Sequence, residues 1–176
     1  MSVDGVLEKR LNVVQKRRSR MALVRRLFIT AAVVYLLFAI IFGMGTVHGS
    51  SMLPALRDGD FIFFYRLSGS YQLGDIILIR TGGHEDYIKR VCAVPGDTVD
   101  IDDTTCKLLI NGEEAIEPYA YGETTSRPDV QYPLVLQEEE YFCLGDNREN
   151  SLDSRTYGIV RKKQIDGKTL AFLRIF

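Results

Sequence analysis

From Leu27 to Val47 the chain reads LFITAAVVYLLFAIIFGMGTV, with no charged residue. An uninterrupted run of roughly 20 apolar residues is what a helix needs to cross a hydrocarbon core of about 30 Å. A core helix of a water-soluble domain shows a polar stripe, and this one shows none. The apolar region of a cleaved leader is shorter, about 7–15 residues, and ends in small residues. GMGTVHGSS is a poor match to such an exit. The run therefore predicts a retained membrane span, and the rest of the chain must be arranged around it.

Charge is distributed accordingly. The net formal charge is only -1, yet Lys9, Arg10, Lys16, Arg17, Arg18, Arg20, Arg25 and Arg26 precede the span against Asp4 and Glu8. Soon after the span come only Arg57 and Arg66. The excess of Lys and Arg on the N-terminal side places that end in the cytoplasm. Three segments are expected: a basic cytoplasmic arm (1–26), a transmembrane helix (27–47) and an extracytoplasmic domain (48–176). Leu7, Leu11, Val14 and Met21 fall near helical spacing, so the arm is expected to lie on the inner leaflet, each basic residue adding about 1 kcal/mol. A basic arm also suits nucleic acid; the span behind it favours lipid, and no nucleic-acid partner is expected.

The segment beyond Val47 carries strand and turn signals. FIFFY (61–65) follows Asp58-Gly59-Asp60, and DIILIR (75–80) ends at Thr81-Gly82-Gly83. DYIKRVCAV (86–94) closes at Pro95-Gly96, and KLLI (107–110) runs into the hairpin dipeptide Asn111-Gly112. YPLVL (132–136) and YFCLG (141–145) flank Glu138-Glu139-Glu140, and further strands are expected at 158–160 and 170–175. Short strands at close spacing predict a mostly β domain. Residues 113–131, rich in Glu, Pro, Gly and Thr, are expected to be its flexible loop.

Directly past the span stands GSSMLPALRDGD (49–60). A serine hydroxyl is a nucleophile only with a base within hydrogen-bond reach. His48 and His84 lack an orienting carboxylate nearby in sequence, which disfavours a Ser–His pair. Lys89 is the better base: on a strand, Tyr87, Lys89, Val91 and Ala93 share one face. If buried there, its pKa falls from about 10.4, and a neutral amine can accept a serine proton. A strand lysine that snorkels to water is the ordinary alternative. A third stretch, GDNRENSLDSRTYG (145–158), reads as a turn-rich loop. It also offers the hydroxyls of Ser151 and Ser154 and an ion pair from Asp153 and Arg155. Cys92, Cys106 and Cys143 form no CxxC, and with two histidines they give no zinc-ligand spacing. No metal and no cofactor is expected, and the spacing leaves open whether two of the three cysteines pair.

Taken in order, GSSMLPAL, RDGDFIFF, LGDIILI, YIKRVCAVPGD and GDNRENSLDSRTYG resemble the motif boxes of the bacterial type I signal peptidases. The resemblance is to the compact, single-span form of Gram-positive bacteria. It implies antiparallel sheets of the kind shared by signal peptidases and SOS-repressor peptidases, behind one N-terminal transmembrane helix. It implies a membrane-anchored serine endopeptidase that cleaves signal peptides from exported preproteins through a Ser51–Lys89 dyad. Ser151 would orient the lysine amine, Asp153 and Arg155 would brace the site, and Asn150 and Gly145 would shape the loop. The backbone of Ser51, helped by Ser50 or Gly49, would form the oxyanion hole. Met52, Leu56, Tyr87 and Ile88 would line pockets for small side chains one and three places before the cut bond. Two positions depart from the common pattern. Gly49 stands where some members carry a serine that assists the hole, and Ala55 where threonine is frequent.

The partners implied are secretory preproteins through their signal peptides, membrane lipids and the protein-export machinery. Two rival readings remain at this level. A self-cleaving Ser–Lys peptidase of the SOS-repressor type is disfavoured by the span. A catalytically inactive membrane-tethered β scaffold is disfavoured by the joint presence of Ser51, Lys89, Ser151 and Asp153.

Overall fold

The computed structural model describes residues 3–83 and 86–174, with residues 3–15 as backbone alone. His84 and the side chains of Leu7, Leu11 and Val14 lie outside the described residues. Two compact units result, Met1–Ile41 and Phe42–Phe176.

The first unit is one helix, α1 (Val3–Ile41). Its stretch Lys16–Ile41 contains an apolar window of 18 residues with a mean hydropathy of 2.1, none of it buried within the protein. The helix stops six residues short of the expected Val47. Phe42–Thr46 is instead the first strand, β1, paired antiparallel with β2 (Phe61–Tyr65) from Phe42↔Tyr65 to Thr46↔Phe61. Two glycines explain the change. Gly43 and Gly45 are poor helix residues, and a Cβ on Gly43 would run into the Phe64 ring. The same apolar letters thus serve a helix up to Ile41 and a sheet beyond it.

The remaining elements are β3 (Ile76–Ile79), β4 (Tyr87–Ala93), β5 (Thr98–Asp102), β6 (Lys107–Ile110), β7 (Glu113–Glu114), β8 (Leu134–Val135), β9 (Glu140–Leu144), α2 (Ser154–Tyr157), β10 (Val160–Arg161) and β11 (Ile165–Leu173). All strand pairs are antiparallel. A seven-stranded sheet runs β1-β2-β11-β3-β4-β9-β10, and a four-stranded one β7-β6-β5-β8. The mostly β architecture expected from the turn spacing is therefore found. Asn111-Gly112 forms the two-residue turn between β6 and β7, with φ of 55° and 83°, the left-handed pair that a type I′ hairpin requires.

Three apolar clusters fill the unit. On β2, Ile62 and Phe64 face inward while Phe61 and Phe63 are exposed. The inward pair joins Val47, Met52 and Leu56 beneath the serine loop. A second cluster gathers Tyr71, Ile77, Ile79, Val91, Tyr141, Cys143, Val160 and Ile165, and a third centres on Val99, Leu108, Leu136 and Phe142. Cys92, Cys106 and Cys143 are free thiols. The segment 113–131, expected to be a flexible loop, is largely exposed and irregular but is tied down at points. Thr124 is buried, and Tyr121 forms a parallel bridge with Asn147.

Candidate active site

The serine loop, residues 47–60, is closed by its own backbone. Val47 N–H donates to Asp60 O at 2.8 Å, and Gly59 N–H to Val47 O at 2.9 Å. Met52 and Leu56 anchor it by burying their side chains, 1% and 0% exposed. Burying a Met or Leu side chain stabilises by about 1.5–3 kcal/mol, which fixes the turn bearing Ser51.

Lys89 comes from the middle of β4, between β3 and β9, where it faces Ile77 in the register. Its side chain is 3% exposed. Tyr87 and Val91, two positions either side, belong to the same apolar cluster, as strand alternation predicts. Nζ stands 2.8 Å from Ser51 Oγ and 3.0 Å from the Ile88 carbonyl oxygen. Burial pushes its pKa down to about 8, partly offset by the negative charges of Asp153 and Asp146. A neutral amine is then accessible near ordinary pH, and in that form it can accept the serine proton.

The third element leaves β9 at Leu144. Gly145 N–H donates to Asp153 Oδ2 at 3.2 Å. Asp153 is fully buried and takes a forked pair of bonds from Arg155, Nε to Oδ1 and Nη2 to Oδ2, each 2.9 Å. It also caps α2 by accepting from Arg155 N–H. Burial alone would raise the Asp153 pKa; the Arg155 bonds and charge outweigh it and hold the carboxyl below its usual range. The braced ion pair expected at these positions is thus present as geometry.

The other expected residues divide. Asn150 Nδ2 donates to Ser50 Oγ at 2.7 Å, tying the loop to the serine pair. Ser151 Oγ is buried without a hydrogen-bond partner among the described residues. It lies near enough to Asp153 to favour the carboxylate, yet it makes no bond to Lys89 Nζ. Gly49 N–H already donates to Asp58 Oδ1 at 2.8 Å, so the expected contribution of Gly49 to an oxyanion hole is not available here. The N–H groups of Ser50 and Ser51 are taken by no acceptor among the described residues. A cleft of about 680 Å³ opens beside Ser51 and is lined by Met52, Tyr87 and Ile88 among others. Leu56 is not in that lining; it lies in the core beneath.

Sequence reasoning missed a layer of buried charge behind the site. Arg90 makes two bonds to Asp146, 2.8 and 2.6 Å, and its guanidinium carbon lies 4.2 Å from the Tyr119 ring centre. Arg148 is 1% exposed and reaches Glu117 at 2.9 and 2.7 Å and Thr124 at 2.5 Å. Asn147, 8% exposed, donates to both serine-loop carbonyls: its N–H to Ser51 O at 3.0 Å and its Nδ2 to Ser50 O at 3.2 Å. The motif GDNR signalled the stretch; nothing in the sequence paired Arg148 with Glu117.

The chain matches the family described as signal peptidase, peptidase S26, over residues 20–173. It is similar to a signal peptidase I of Bacillus licheniformis, 35% identical over 165 residues, covering 86% of this chain and 87% of that protein. It is also similar to a signal peptidase IB of Staphylococcus aureus, 34% identical over 142 residues, covering 70% and 73%. Among solved structures, a signal peptidase I from Enterococcus faecalis is 30% identical, with a TM-score of 0.46, over 56% of this chain and 96% of that one.

Proposed function

The chain belongs to the signal peptidase family, peptidase S26, and from that premise we propose that it cleaves signal peptides from exported preproteins with Ser51 as nucleophile and Lys89 as general base. One observation carries the assignment of roles: a lysine 3% exposed, with Nζ 2.8 Å from the hydroxyl of Ser51. Neutral Nζ accepts the proton as Oγ attacks the carbonyl carbon of the last signal residue. The tetrahedral oxyanion collapses, the C–N bond breaks, and the ammonium gives its proton to the departing amine. Neutral again, Nζ draws a proton from water, whose oxygen attacks the acyl-enzyme carbonyl; the ester C–O bond then breaks and the ammonium returns its proton to Ser51 Oγ. Small side chains one and three places before the bond occupy the cleft beside Met52, Tyr87 and Ile88.

The anchor is α1, single-pass, with the basic arm in the cytoplasm and residues from Phe42 onward outside. Leu27–Ile41 spans only about 22 Å at 1.5 Å per residue. Reaching a 30 Å core therefore enlists Ala22 to Val24, with Arg25 and Arg26 snorkelling to the inner surface. On the outer side, Met44, Phe61, Phe63 and Leu173 leave an exposed apolar face on β1, β2 and β11, which suits contact with lipid. Preproteins held by their signal helices meet the enzyme on that one surface, where confinement raises their effective concentration.

The test is cleavage of a preprotein by the detergent-solubilised full chain, read as a product of mature size. Ser51→Ala and Lys89→Ala are expected to be inactive, whereas Ser50→Ala retains turnover. Activity surviving in both Lys89→Ala and Lys89→Met would overturn the assignment of the base.

A further inference from the structure

Gly49 has no hydroxyl, and its N–H is committed to Asp58. The Ser51 N–H therefore bears more of the oxyanion than it would beside a full set of donors. How that N–H is aimed becomes the question, and the peptide unit linking Ser50 to Ser51 answers it. That unit is trans, since the cis bonds are Leu53–Pro54 and Tyr132–Pro133. In a planar trans peptide the C=O and the N–H point in opposite directions. Whatever holds the Ser50 carbonyl thus also sets the direction of the Ser51 N–H.

Two donors hold that carbonyl: Leu53 N–H and Asn147 Nδ2, each at 3.2 Å. Asn147 takes the next carbonyl too, its own N–H donating to Ser51 O at 3.0 Å. One residue thereby restrains the peptide units on both sides of the nucleophile. It is itself firmly placed. The flanking residues clasp Tyr121, with Tyr121 N–H to Asp146 O at 2.7 Å and Arg148 N–H to Tyr121 O at 2.8 Å.

We propose that Asn147 is a positioning residue that aims the Ser51 N–H as the oxyanion donor of this site. The inference rests on Ser51 being the nucleophile, as proposed above. Asn147 touches no reacting atom. It acts by preventing the Ser50–Ser51 peptide from rotating when charge develops on the substrate oxygen. Such preorganisation is where hydrogen-bond donors gain their catalytic worth.

The experiment uses the full chain in detergent with Asn147→Ala and Asn147→Asp. Both keep the main-chain bond to Ser51 O and lose the side-chain donor; the carboxylate additionally faces the Ser50 carbonyl with negative charge. Rates are taken per active site titrated with a peptide boronate, whose boron accepts Ser51 Oγ to form a tetrahedral adduct. The expected result is kcat lower by about 10²-fold with KM nearly unchanged. Boronate affinity should fall by a similar factor, and in Asn147→Ala, which adds no charge, the acid limb of the pH–rate profile should stay at its wild-type position because Lys89 is untouched. Unchanged boronate affinity and kcat per titrated site overturn the proposal, whatever happens to the melting temperature. A loss confined to KM does so as well. If the boronate fails to bind the wild type at Ser51, the assignment of the nucleophile fails instead, which separates the two.

Discussion

Gly145 lies against the carbonyl of Ser51: a Cβ on the glycine would stand 2.6 Å from that oxygen and equally close to Cβ of Ser151. The Ser51 oxygen is backbone, so it cannot yield without moving the serine loop. Gly145→Ala is expected to cost about 1–3 kcal/mol through overpacking. Because it displaces Ser51 itself, it should also lower kcat/KM about 10²-fold. Urea unfolding and a peptide assay on the same preparation check both parts.

The pH dependence follows from the depressed lysine. With Lys89 near 8, kcat/KM should rise with pH to a plateau above an inflection close to 8. Stability carries the matching sign. Between about 8 and the unfolded value of about 10.4, the unfolded chain holds a proton that the native lysine has released, so stability rises with pH in that window. Below it the full penalty of a buried ammonium applies. Lys89→Met, compared with the parent by denaturant midpoint at pH 7 and pH 10, should lack this increment. A parent chain with no such increment would contradict the shift.

Asp153 and Arg155 are both buried, so removing one partner strands the other. Asp153→Ala should destabilise by about 3–5 kcal/mol. Arg155→Lys retains charge but cannot reproduce the fork onto both carboxylate oxygens; it should be intermediate in stability. Thermal unfolding ranks the three chains as parent, Arg155→Lys, Asp153→Ala.

The Arg148–Glu117 pair joins the loop after β9 to a segment 31 residues earlier. Glu117→Ala leaves a buried guanidinium uncompensated and should cost about 3–5 kcal/mol. The double replacement Arg148→Met, Glu117→Met should recover much of that loss. A double-mutant cycle on denaturant midpoints measures the coupling.

What could be read from the chain beforehand depended on how local the signal was. FIFFY gave β2 to the residue, KLLI gave β6, and Asn111-Gly112 gave its turn, because alternation and turn chemistry are written within a few positions. The end of α1 differs from the expected Val47 because hydropathy does not separate a span from the apolar strand that follows it; only Gly43 and Gly45 mark the change, and the meaning of Gly43 depends on Phe64 from another strand. The segment 113–131 looked flexible for the same kind of reason. Two of its polar side chains, Glu117 and Thr124, meet Arg148, a pairing invisible without three-dimensional contact. The Ser51–Lys89 proximity was suggested by ordered motifs, whereas Asn147 escaped notice because its role lies in two carbonyls that no residue type announces.

Asp153 is at once the cap of α2, the counter-ion of Arg155 and the acceptor for Gly145, and its charge acts on the Lys89 amine. In a saturation library scored by secretion or growth, substitutions at 145, 153 and 155 will thus look equally damaging whether they block turnover or simply lower abundance. Only a parallel measurement of protein level would tell a lost reagent from a lost scaffold there. Positions 51 and 89 are where inactive yet plentiful protein should be found.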